Sequence, residues 1–207
     1  MTSYEGIDVL ELNYNRVGVI EERLRRKFVL LDGSTGIRQA DEQSPAPAPA
    51  RPFTWTAFGR AEMAAMRDFL DARAGRAEPF WFPSYQWDLR LAADLDVTET
   101  IATIQWVRYG QQMFGSTGGR RHVAFWNLGL GQMDYYRIVD STDPGDEIEE
   151  SITLDPGAVR DYGAAQTVIS FLKLCRLDTD LTEISYPSTE IAQATIMVRE
   201  LPMEAPV

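Results

Sequence analysis

The sequence predicts a mainly β protein of the α+β class: a β-sandwich carrying one packed helix at about 59–75, with an inserted β subdomain. Three observations lead there. From residue 88 onward, short runs rich in β-branched and aromatic residues are separated by Gly, Pro, Asp and Asn. One well-defined stretch, 59–75, changes to a helical period. The chain has 207 residues, 44% apolar and 25% charged, enough to bury a core of its own. The expected division makes 1–89 and 160–207 the framework with its helix, and 90–159 the insert.

The elements follow in order. Residues 7–14, "IDVLELNY", and 24–31, "LRRKFVLL", read as short strands, and the Asp-Gly pair in "DGSTG" (32–36) signals a reversal. In "DEQSPAPAPA" (41–50), Pro45, Pro47 and Pro49 alternate with alanine and remove every second amide donor, which predicts an exposed, extended arm. "RPFTWTA" (51–57) sets Phe53, Trp55 and Ala57 against Thr54 and Thr56, the alternation of a half-buried strand. In the helix, Met63, Met66, Phe69 and Leu70 fall on one stripe, alanines add propensity, and Gly75 stands at the C-terminal cap. "TIATIQWV", "RHVAFWNL", "DYYRIVDS", "TVISFLKLCRL" and "AQATIMVREL" are typical of the strands beyond it.

Charge and residue counts restrict the chemistry. A net charge of −11 opposes nucleic-acid binding, which needs a basic surface to displace counterions, and opposes anionic membranes too. No run reaches the length of a membrane-spanning helix, and the first residues lack a secretory pattern, so synthesis in a cytoplasm is expected. With one cysteine, Cys175, and one histidine, His122, neither an internal disulfide nor a Cys/His zinc site can form within the chain. His122 lies where a loop enters a strand and reads as structural.

The Gly-rich stretches 32–38, 115–121 and 128–133 lack the lysine and following helix of a phosphate loop and read as hairpin turns. Asp178 and Asp180, with Glu183 nearby, are the most compact candidate for a hydrolytic acid pair, but read better as a solvated turn. "DPGDEIEE" (143–150) reads as a solvated edge whose charges discourage strand pairing. No catalytic, metal or cofactor residue is expected.

Phe80, Trp81, Phe82, Tyr85 and Trp87 place five aromatics in eight residues, with Pro79 and Pro83 among them. The prolines deny ladder donors, which predicts an edge or crossing segment. Part of the set should pack on the 59–75 helix. The remainder exceeds what a two-sided strand buries and is assigned to a subunit interface, where Tyr and Trp are favoured.

The order of these features resembles a known group. A strand pair leads to Gly-Ser-Thr-Gly-x-Arg (Gly33 to Arg38), then a proline-bearing stretch, the strand "RPFTW", the helix "EMAAMRDFLDARAGR" and directly "PFWFPSYQWD". Near the end come "FLKLCRLDTDLTEISY" and "ATIMVREL". This resembles distal-tail-like and minor tail-tip proteins of long-tailed bacteriophages and gene-transfer particles. The resemblance implies a structural virion protein, not an enzyme, assembled in the host cytoplasm. It implies a homo-oligomeric ring, hexamer or trimer, joining the tail tube protein to the tail hub and tip proteins. It brings no cofactor, no specific nucleic acid and no membrane. The rival readings are a carbohydrate-binding module for a host-surface glycan, using the same aromatics, and a cell-wall hydrolase using the acid pair.

Overall fold

The computed structural model describes residues 2–11, 23–25, 28–32, 38–42, 48–115, 120–145 and 147–201. It is mainly β. In chain order the strands are β1 (Ser3–Tyr4), β2 (Ile7–Asp8), β3 (Arg23–Arg25), β4 (Phe28–Asp32), β5 (Arg38–Glu42) and β6 (Ala48–Phe58). Helix α1 (Gly59–Ala72) follows, then β7 (Phe80–Pro83), β8 (Ile101–Gln105) and a π-helical turn, Gly110–Phe114. The remaining strands are β9 (His122–Asn127), β10 (Gln132–Thr142), β11 (Glu149–Asp155), β12 (Thr167–Leu177), β13 (Ile184–Ser188) and β14 (Ile191–Glu200).

The chain divides into two compact units, one of Met1–Glu11 with Trp81–Lys173 and one of Leu12–Phe80 with Leu174–Val207. The sequence expectation drew its boundaries at 89/90 and 159/160. The flanking stretches join the first unit through backbone pairing: Leu89 bridges Ile169, Leu95 bridges Tyr162, and Thr167–Phe171 pairs with β9.

In the first unit the antiparallel order is β12–β9–β10–β11–β8. The register sets Val168 opposite Trp126, Tyr136 opposite Val123 and Ile152 opposite Ala102. Alternation works as the sequence implies in β8, where Ala102 and Ile104 are buried between exposed or half-buried neighbours. β9 is buried almost throughout, as an inner strand should be. Leu89, Leu91, Ile104, Phe125, Ile138, Leu154 and Ile169 are part of one core cluster. Phe125, Tyr136 and Tyr162 meet edge to face in it, at centroid distances of 5.0 and 5.2 Å from Phe125. The phenols need partners there. Tyr136 and Tyr162 hydroxyls lie 2.7 Å apart, and Tyr162 donates to Asp134 at 2.6 Å, whose carboxylate also accepts from Arg160.

The acidic run 143–150 departs from its sequence reading. Residues 144, 145 and 147–149 are exposed, as expected of a solvated run, but Glu149 and Glu150 lie in β11, which is paired on both sides, with β10 and with β8, and so is not an edge. Glu150 is fully buried, and its carboxylate accepts the backbone N–H groups of Val107, Tyr109 and Gly110 at 2.8–3.0 Å. A carboxylate in the core is tolerable because three amides solvate it in place of water. These bonds hold the chain where it leaves β8 and enters the π-helical turn.

The second unit orders its strands β3–β6–β14–β12, with β13 also paired to β14. β14 is therefore central, bonded to β6 from Ile191 to Arg199 and to the end of β12 through Cys175, Arg176 and Leu177. Its burial alternates as an amphipathic strand requires. β4 and β5 form a separate pair with Asp32 opposite Arg38; the turn expected at 32–36 falls, from residue 33 on, outside the described residues. Pro45 and Pro47 lie outside them as well. Pro49, assigned by the sequence to an exposed arm, is instead half-buried in β6 opposite Leu24. A proline fits there because β6 takes β3 only briefly, at three positions.

Helix α1 starts where Gly59, at φ +73°, turns the end of β6 into a helix. Glu62 accepts the Phe58 N–H at 2.9 Å and so satisfies one of the free amides of the first turn. Met66 and Phe69 are buried and Met63 and Leu70 half-buried, so the predicted stripe is the packed face. Phe69 meets Trp55 of β6 and Phe80 edge to face, at 5.8 and 5.2 Å. The helix ends at Ala72, three residues before Gly75. Ala74 and Gly75 both take positive φ, and a Cβ on Gly75 would stand 2.7 Å from the Asp180 carboxylate. Glycine is needed there for conformation and for space.

Replacing Glu150 with Ala strands three amides around a buried site and is expected to destabilise the protein by about 3 kcal/mol or more. Urea denaturation checks it, with Glu150→Gln, which keeps one acceptor oxygen, losing less. A second expectation concerns alkali. Burial pushes the phenols of Tyr4, Tyr109, Tyr135, Tyr136 and Tyr162 above the ordinary tyrosine value of 10.0. Each raised phenol adds stability that is complete below the unfolded-state pKa and is lost as pH climbs toward the folded one. The expected result is loss of stability from about pH 10 upward, with the tyrosinate absorbance of these five phenols appearing together with unfolding.

Candidate interaction surface

The aromatic segment is the first candidate, and the structure places it inside the chain. Phe80 and Trp81 are fully buried, and Phe82 and Tyr85 nearly so. β7 is not an edge: it pairs with β12, and on its other side Trp81 bridges Val9 in parallel. Leu10 donates its N–H to the Trp81 carbonyl at 2.9 Å, and Ser84 donates to the Phe171 carbonyl at 2.9 Å. The prolines thus cost the ladder little, because the donors that remain are the ones used.

Side chains complete the lock. Trp81 donates its indole N–H to the Tyr4 carbonyl at 3.0 Å and lies 4.7 Å from the His122 ring. Tyr85 donates to the Leu10 carbonyl at 3.0 Å and meets Phe82 edge to face. The assignment of Phe80, Trp81, Phe82 and Tyr85 to a subunit interface is therefore corrected. Their surfaces are already covered by the chain's own strands and helix. Only Trp87 of the five reaches solvent, at 38% exposure, with the Arg90 guanidinium 4.9 Å above its ring.

His122 opens β9, is buried, and is joined through Nδ1 to the Tyr4 hydroxyl at 3.0 Å. That is a packing role. Cys175 is buried in β12. The acid pair is also engaged. Asp178 lies 2.6 Å from Arg199, while Asp180 takes the Arg76 backbone N–H at 3.1 Å and its guanidinium at 2.7 Å. Hydrogen bonds from Arg76 hold the Asp180 carboxyl below its ordinary value. A glycosidase acid needs the opposite shift. Asp180 instead closes the turn behind α1. In "LGLGQM", the Asn127 side chain accepts the N–H groups of Gly129 and Leu130, and Gly131 takes φ +64°, which makes this stretch the β9–β10 hairpin. Residues 116–119 of the other Gly-rich loop lie outside the described set.

What the sequence did not single out is an open groove on α1. Arg60, Met63, Ala64 and Arg67 recur at i, i+3, i+4 and i+7, a second stripe beside the buried one. With Tyr186, Ser188 and Thr189 they line a groove of about 590 Å³. Arg67 donates to the Tyr186 hydroxyl from Nε at 3.2 Å and from Nη2 at 2.7 Å, and its guanidinium also lies 5.4 Å from the ring centre. Phe58 and Tyr186, both large and apolar, are exposed in the same unit at 43% and 49%. The i, i+3, i+4, i+7 spacing was there to be read; Arg at its ends and Ala within made it look like ordinary solvated helix.

Arg73 also went unmarked. It is buried, stacks 5.0 Å from the Phe69 ring and donates to the Pro79 carbonyl at 2.8 Å, tying the helix end to the aromatic segment.

The chain matches no protein-family model, and no curated protein matches it.

The two tryptophans separate a core role from a surface one. Trp81→Ala is expected to cost about 3–5 kcal/mol, and Trp87→Ala less than about 1 kcal/mol, both read from denaturant midpoints of the isolated protein. Equal, small losses would mean that the segment does not hold the fold.

Proposed function

We propose that this chain is a structural component of a phage-type tail tip, a scaffold subunit that closes into a homo-oligomeric ring between the tail tube and the tip proteins. The order of strand, helix and aromatic segment on which the resemblance rests supports it. The observation that carries it is the open groove on α1, an apolar floor between two arginines within that same strand–helix stretch. A subunit that completes its surface only on assembly needs such a face. The acidic character of the chain fits a conduit through which DNA passes without adhering, since like charges repel.

The glycan-binding alternative draws less support, because four of the five aromatics it would use are buried. The hydrolase reading rests on Asp178 and Asp180, and each is held by an arginine.

The expected outcome is concentration-dependent assembly into closed particles, measured by light scattering with negative-stain imaging, alone or with tail tube and hub proteins. A monodisperse monomer at every concentration, with and without those partners, overturns the proposal.

A further inference from the structure

The sheet of the second unit has two unlike faces. On one, Trp55 of β6 lies opposite Ala194 of β14 and meets Phe69 of α1. Successive side chains of a strand point to opposite faces, so the register settles which residues share the other one. Thr54 is opposite Thr195 and Thr56 opposite Gln193, and the Gln193 amide nitrogen lies 3.5 Å from the Thr56 hydroxyl across the strands. These two rows are flanked by Pro52–Met197 at one end and Phe58–Ile191 at the other. Thr54, Phe58 and Thr195 are exposed.

The charge of this face bears on what can cover it. A quarter of the chain is charged, yet none of the residues in the four rows is. One row further along, Arg199 stands opposite Ala50 and is paired with Asp178 at 2.6 Å. Glu183 stands at the border, in the hollow that it lines with Gln193 and Thr195. A nucleic acid or a charged protein surface finds nothing complementary here. A copy of the chain, at −11, can approach this face without setting like charges together.

The order of the rows points the same way. They read apolar, polar, polar, apolar, the same from either end. Laid on itself about a two-fold axis in the plane of the face, along the strands or across them, the pattern sets apolar rows on apolar rows. The Thr and Gln rows then meet Thr and Gln rows. That is the self-complementarity an isologous contact requires. Sheets pack face to face about 10 Å apart, with strands within about 30° of alignment. Threonine, stiff at χ1, loses little freedom when it is covered.

We infer that two copies of this chain pair through the outer face of β6 and β14, sheet on sheet, as a dimer closed by a two-fold axis. The contact does not rest on the ring reading: it closes at two copies, whereas a ring of more needs a head-to-tail contact. Four rows on two strands form a small interface, so the dimer is weak and forms at high concentration.

Sedimentation of the full chain across concentration tests this. The wild type is expected to pass from monomer to dimer, and more readily as salt screens the repulsion between acidic copies. Thr195→Glu and Thr195→Lys each set like charges in the middle of the contact, and each is expected to weaken the dimer about 100-fold. An equal mixture of the two is expected to recover it, because unlike charges then face each other. Thermal melts show whether the variants keep their fold, which an exposed position should permit. Hydroxyl-radical footprinting needs no variant: Phe58 and Met197 are expected to lose most of their reactivity as the wild type dimerises. A wild type that stays monomeric overturns the inference. So does a dimer that salt weakens, that survives both substitutions, or that leaves Phe58 and Met197 as reactive as in the monomer. A mixture that fails to recover although both variants fold overturns it too. Larger closed particles with those two residues unprotected remove this contact and leave the ring reading standing; protected dimers and nothing larger, even with tube and hub proteins, do the reverse.

Discussion

The structure depends on the burial of one extended stretch, Phe80 to Tyr85. Burying it means covering large rings on both faces while leaving no amide or carbonyl without a partner, in a segment bracketed by prolines. The solution distributes the work. Arg73 takes the Pro79 carbonyl, Leu10 takes that of Trp81, and the Ser84 amide goes to Phe171. The rings follow the backbone: Phe80 settles on Phe69 of the helix, and Trp81 on Tyr4 and His122. The N-terminal strands and the lone histidine find their places through this segment.

Charge is used in the same economical way. Carboxylates that look like a reservoir of chemistry are joined to backbone or arginine. Glu150 gathers three amides in the core, Asp134 receives a phenol and a guanidinium, and Asp180 grips the turn behind the helix. In the buried pair of sites the partners are fixed beforehand by the chain that carries them. Glu150 and Asp134, away from solvent, give orientation to loops that apolar contacts alone would leave loose.

Much of this could be read in advance, because periodicity is a local property. The alternation in β6 and the Met66–Phe69 stripe announced a strand running into a helix, and the Gly-rich stretch 128–133 announced a hairpin. What stayed hidden was set by distant partners. Nothing near Glu150 in sequence shows that β8 and β10 will enclose its strand. Nothing around Trp81 shows that Val9 and Leu10 will lie beside it, 71 or more positions earlier in the chain. The prolines argued for an edge because they remove donors; the segment turned out internal because its neighbours need few of them. The groove on α1 is hidden for a different reason: its stripe shares Met63 with the buried one and carries arginine at both ends.

The position of β14 bears on when the fold is finished. It is the last strand in order of synthesis among the described residues, yet it stands between β6 and β12. β6 and its helix must therefore wait, with one long side unsatisfied, until more than a hundred further residues have left the ribosome. Tyr186, Ser188 and Thr189, the wall of the groove, arrive just before that final strand. A nascent chain thus has no complete groove until these residues have emerged. The fold itself acts as a clock, leaving the groove unfinished until translation has reached β14.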